Sequence, residues 1–283
     1  MKIPRVIVAA LVGLLGTAPP VLADTPAPLR LTLGVVPQQS VIDLARAWTP
    51  LLAYLSSKTG YDLEFRTAQD TSTFERRVET GEFDFAYFNP SHYAMYQASG
   101  YQVLAKESDT RLVGIVVVSK DSGYKSLKDL NGATMAFPSP HAFAATLLPQ
   151  LSLKQHGVSV VPQYVASHES VYRAVARGLY PAGGGALKTY EQIDPVVRDQ
   201  LRILWRSQPY TPHPIAVHPR VPKAVAQRVV AALLAMADDP QGAVLLKQAG
   251  FKGFVTAKDS DYEDIRKLRV GIGQSGIITK AKQ

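Results

Sequence analysis

Short apolar runs, each followed by a turn and then an amphipathic stretch, succeed one another along almost the whole chain. Such a rhythm builds βα units around a mainly parallel sheet, so the predicted class is α/β. "LRLTLGVV" opens as a strand. After "PQQS", the segment from Val41 to Lys58 puts Leu44, Ala45, Trp48, Leu51, Leu52 and Leu55 on one helical face, with Gly60 as its stop. "DLEFRTA" predicts a second strand, and a short helix with Phe74 and Val78 four apart follows. "FDFAYFN" is too continuously apolar to face water on either side. "YQVLAKE", "LVGIVVVSK", "ATMAF", "VVPQYVAS", "LRILWRS" and "PIAVHP" complete the predicted strands, and the tail from Ala224 is helical. "VVVSKDSGYKSL" and "SQPYTPHP" are the two places where an extended chain can pass from one sheet to another. They divide the chain into 24–117 with 213–283 and an inserted second unit over 118–212.

The first residues read as an export leader. Lys2 and Arg5 precede an apolar run, and Val21, Leu22 and Ala23 suit cleavage after Ala23. The apolar run is too short for an ordinary membrane span, and no later stretch reaches the ~18 apolar residues one needs. A soluble protein outside the cytoplasm, not embedded in a membrane, is expected. The chain has no cysteine, which excludes a lipid anchor, disulfides, a thiol nucleophile and a thiolate metal site. Without Lys2 and Arg5, 29 basic residues stand against 23 acidic ones, a formal charge of +6. That excess suits small anionic partners. The basic residues are scattered rather than blocked with aromatics, so no nucleic-acid partner is expected.

Ligands of open α/β sheets sit at the carboxyl ends of strands, where helices begin. Four such ends share one vocabulary here: "NPSH" (Asn89, Ser91, His92), "PSPH" (Ser139, His141), "ASHE" (His168) and "TPHP" (His213). Ser139 before Pro140 reads as a helix cap, Ser167 as another, and exposed N–H groups at helix starts favour anions. Each histidine taken singly is open to two readings, ordinary capping surface or ligand contact. The recurrence points to at least two of them lining one site. Phe143, Leu147 and Leu151, spaced by four, read as core. A metal site built from the cleft histidines is an alternative, but no pair has local metal-ligand spacing and no carboxylate motif accompanies them. No G-x-S-x-G, H-E-x-x-H or phosphate loop is present, so neither catalysis nor a cofactor is expected.

Several segments, in order, resemble the periplasmic solute-binding proteins for phosphonate, phosphite and phosphate that feed ABC importers. They are "GVVPQ", "WTPLLAYLSSKTG", "GEFDFAYFNPSHYA", "SLKDLNGATMAF" and "SHESVYRAVARG". The resemblance implies the two-lobed type II binding fold and a receptor that hands its ligand to a permease. A periplasmic sensor partnering a histidine kinase is the alternative, and a monomer is expected. It also implies an anion cradle of three hydroxyls, Ser-Thr-Ser, opening a helix. Alignment on Pro140 and Pro149 puts Ala142, Phe143 and Ala144 there instead. His168 matches a family contact, an aromatic hydroxyl position falls on Phe88 with Tyr87 beside it, and another contact falls near Thr71. The expected ligand is therefore anionic but need not be a phosphonate, with His141 as the replacement contact.

Overall fold

The computed structural model describes residues 1, 27–95, 99–165 and 167–274. Apart from Met1, the leader read over residues 1–23 lies outside the described residues. The strands are β1 (Arg30–Val35), β2 (Asp62–Arg66), β3 (Phe85–Tyr87), β4 (Gln102–Glu107), β5 (Gly114–Ser119), β6 (Thr134–Phe137), β7 (Val161–Tyr164), β8 (Ala182–Ala186), β9 (Leu201–Arg206), β10 (Pro214–Val217) and β11 (Phe254–Thr256). The α-helices are α1 (Val41–Thr59), α2 (Thr71–Glu79), α3 (Pro90–Met95), α4 (Leu148–Gln155), α5 (His168–Ala176), α6 (Leu187–Gln192), α7 (Pro195–Arg198), α8 (Lys223–Leu234), α9 (Pro240–Gln248) and α10 (Glu263–Gln274). None of them is long and apolar enough to cross a membrane by itself.

Two sheets carry the two lobes, in the strand orders β11-β4-β10-β3-β1-β2 and β7-β6-β8-β5-β9. β1 runs parallel to β2 and β3, and β6 parallel to β7 and β8. The sheets are nevertheless mixed. β10 lies antiparallel between β3 and β4, and β5 antiparallel between β8 and β9. The cause is how the chain arrives. Strands joined by helical crossovers all point their carboxyl ends the same way, whereas β5 and β10 enter directly from the other sheet and so start at the end where their neighbours finish.

The first passage between sheets occupies 108–113, ahead of the 117/118 boundary expected from the sequence, because all of β5 pairs within the second sheet. The second passage occupies 207–213, between β9 and β10. The two passages touch: the backbone N–H of Leu112 donates to Tyr210 and that of Tyr210 donates back, at 2.9 and 2.8 Å.

Local chemistry accounts for the elements. The Ser40 hydroxyl accepts from the Asp43 N–H to start α1, and Gly60 at φ +75° ends it. β5 alternates between two cores, with Ile115 and Val117 against Val171, Tyr172 and Val175, and Val116 and Val118 against Leu130, Met135 and Phe137. Each such buried branched side chain is worth about 1.5–3 kcal/mol, enough to fix this strand in the interior. Beside it, Gly183 to Gly185 lie within β8. A β-carbon on Gly184 would collide with the Ala145 carbonyl and the Phe137 ring, so only glycine lets the layers approach so closely.

Candidate functional site

The carboxyl ends of both sheets face a cleft, and helix starts line it from either side. On the second-lobe wall, β6 leads through a turn to Ala142, whose extended backbone precedes a π-helical turn, Phe143–Leu147, continuous with α4. Ser139 does not cap this helix. Two residues of turn intervene after it, and its carbonyl instead accepts from the Thr146 hydroxyl at 2.7 Å. Ala142, Ala144 and Ala145 border the cavity. The first N–H groups of a helix have no partner within it, so this start offers backbone donors without side-chain hydroxyls. Phe143 turns away, 1% exposed and edge-on to Tyr210 at 5.5 Å. Ser167 does cap α5, accepting from the Ser170 N–H at 3.1 Å, and so presents His168 to the cleft.

Between these walls lies a cavity of about 90 Å³. It opens into an outer groove of about 470 Å³ that shares Gln38, Gln39, His168, Thr189 and Gln192 with it. Trp48, Tyr87 and Phe251 pack together as its aromatic wall, with ring centres 4.9–6.0 Å apart. Glu107, at the end of β4, is buried there. Its carboxylate accepts from the Tyr87 hydroxyl at 2.5 Å and from the Lys188 ammonium at 2.7 Å, and the ammonium also lies 4.8 Å from the centre of the Phe251 ring. Burial and the Glu107 charge push the Tyr87 hydroxyl well above its usual pKa, so it remains a donor. Lys188 is the cation among the described residues lining the cavity.

Two histidines complete the site. His213 stacks on Tyr87 with ring centres 5.0 Å apart. Its Nε2 lies 2.6 Å from Gln38 Nε2 and 3.0 Å from Asn89 Oδ1, while its Nδ1 is buried without a hydrogen-bond partner among the described residues. When the Gln38 amide donates to Nε2, Nδ1 carries the proton and becomes a free donor. Burial, then the nearby Lys188 charge, lowers its pKa to about 3. Burial alone lowers that of His168 to about 4, and its Nδ1 contacts Thr189 Oγ1 at 3.1 Å. Both rings are neutral at pH 7.

A family model described as "ABC transporter, phosphonate, periplasmic substrate-binding protein" matches residues 33–262. The chain belongs to this phosphonate-binding family. It is a substrate-binding component of an ABC importer, not an enzyme, and the family's proteins are periplasmic. It is 24% identical over 286 residues to the phosphate-import protein PhnD of Mycolicibacterium smegmatis, covering 85% of each chain. The binding-protein component of an ABC phosphonate transporter from Pseudomonas aeruginosa superposes with a TM-score of 0.79 at 17% identity, over 90% of both chains. PhnD1 from Prochlorococcus marinus, solved in complex with methylphosphonate, gives 0.79 at 17% identity, over 87% of this chain and 99% of that one.

The structure sorts the residues singled out in this phosphonate-binding family member into four groups. Tyr87, Asn89, His168 and His213 line the cavity. Thr71 and Ser139 meet across the lobes at 3.5 Å in a side chamber. His92 and His141 converge instead on Glu75. Phe88 and Ser91 are buried away from the cavity; Phe88, the residue after β3, packs on Tyr93 and Tyr101. Sequence reasoning missed Gln38, Glu107 and Lys188. A legible signal existed for Lys188, a charged residue two positions after the all-small strand "AGGGA".

Proposed function

We propose that this protein captures a small oxyanion in the inter-lobe cleft and delivers it to the permease of its importer. The observation that carries this reading is the helix start at Ala142–Ala145, bordering the cavity with open backbone donors, in a site that also holds the Lys188 ammonium. The neutral His213 ring adds a donor in the tautomer that accepts from Gln38. The anionic solutes named for the relatives, phosphate and methylphosphonate, agree with it.

The ligand need not be a phosphonate. Hydrogen bonds to charged groups contribute about 1.5–3 kcal/mol each, and the three hydroxyls of the family cradle are replaced by Ala142, Phe143 and Ala144. Backbone donors, His168 and Lys188 must then supply the affinity, and a ligand of different shape suits them. In this reading residues 1–23 are an export leader, the first lobe combines the chain ends with an inserted second lobe, and the passages at 108–113 and 207–213 form the hinge that closes on the ligand.

Titration calorimetry against phosphate, methylphosphonate, sulfate and small organic acids tests the reading. Saturable one-to-one binding of at least one oxyanion is expected. Tight binding of a neutral or cationic solute together with no binding of any anion would overturn it.

A further inference from the structure

Away from the cavity, three metal-ligating side chains from distant parts of the chain meet. Glu75 lies on α2, His92 on α3, and His141 in the turn after β6. The Glu75 carboxylate touches His92 Nε2 through one oxygen and lies 2.8 Å from His141 Nδ1 through the other. One ligand atom from each of the three residues lies within 4.8 Å of the other two.

The surroundings suit a cation. The side chains of Glu75 and His92 are 5% and 1% exposed, so the carboxylate is a buried charge whose neighbours here are two imidazoles. A buried carboxylate is costly unless a positive partner accompanies it.

We propose that Glu75, His92 and His141 form a binding site for a divalent transition metal of the zinc class, which clasps the two lobes together. Two imidazole nitrogens and one carboxylate oxygen match zinc, cobalt or nickel rather than magnesium or calcium, which prefer all-oxygen shells. His141 is 30% exposed, so the fourth position opens to water. Two of the ligands belong to first-lobe helices and the third to the second lobe, so a metal held by all three favours the arrangement in which the lobes meet. The nearby Thr71–Ser139 contact spans the same seam. The site is separate from the anion cavity, and its test does not depend on the anion reading.

Chelator-stripped full-length protein is titrated with zinc by calorimetry and with cobalt by visible absorption, beside His141→Ala and Glu75→Gln. The wild type is expected to take up one equivalent of zinc and to develop a d–d band with cobalt. His141→Ala, a change at a half-exposed turn, is expected to keep its fold by circular dichroism and to lose at least roughly tenfold in zinc affinity, since altering even a supporting contact costs 10–100-fold. No zinc uptake by the wild type would overturn the site. Uptake unchanged in both variants would assign the metal elsewhere and overturn it equally.

Discussion

At the level of single residues, the charge balance of the cavity rests on Glu107 and Lys188. Glu107 is buried and satisfied by Tyr87 and Lys188 together, while Lys188 is also part of the donor set proposed for the ligand. Removing the cation leaves the carboxylate uncompensated, a change that typically costs about 3–5 kcal/mol. Lys188→Met is therefore expected to lower the urea midpoint markedly, and the double variant Lys188→Met with Glu107→Gln to recover most of the stability without recovering anion binding. Chemical denaturation and calorimetry on the same samples check both halves. Of these two residues the sequence reading named neither. They stand 81 positions apart, Glu107 at the end of β4 and Lys188 in the first turn of α6, and no local pattern announces that they pair. His168 was legible because a capping serine, a histidine and a helix-period stretch stand together in "SHESVYRAVARG".

At the level of elements, the glycine strand β8 is the component with least tolerance. Gly183 meets Val171, Gly184 meets the Ala145 carbonyl and Phe137, and Gly185 meets the Tyr172 ring. Gly184 on β8, with Gly114 on β5 against the Ala144 carbonyl, lets the helix start that borders the cavity approach the sheet. Gly184→Ala forces that backbone outward and is expected to cost about 1–3 kcal/mol by overpacking. It should also weaken ligand binding, because the Ala144 and Ala145 donors move with the helix. Thermal melts and a binding isotherm read the two effects. The sequence did not show that the partner of these glycines is the helix replacing the family's hydroxyl cradle.

At the level of the whole molecule, the two cleft histidines link folding to pH. His168 and His213 have folded pKa values of about 4 and about 3, below the ordinary 6.5, so the unfolded chain binds more protons between those values. Stability is then unaffected by these rings above about pH 6.5 and falls as the pH drops toward 4 and 3. From pH 7 to pH 5 the loss is on the order of 2 kcal/mol for each ring. Urea denaturation at the two pH values is expected to show it, with a smaller difference in His213→Gln. Equal pH dependence in that variant would remove His213 as a source.

The amino-acid sequence by itself determined the order of strands and helices as far as β10, the two buried faces of β3, the capped start of α5, and the kinship with phosphonate-binding proteins; β11 lies in a tail the sequence read as helical. Those properties follow from periodicity, capping chemistry and ordered motifs within a few residues of one another. The tertiary structure alone decided which strand ends meet. It gathered Glu107, Lys188, His168 and His213 into the cavity and carried His141 away to Glu75 and His92. It also reversed β5 and β10 within their sheets. These outcomes depend on how two sheets built from separated segments dock across the 108–113 and 207–213 passages, and contacts over such distances leave no trace in local propensity.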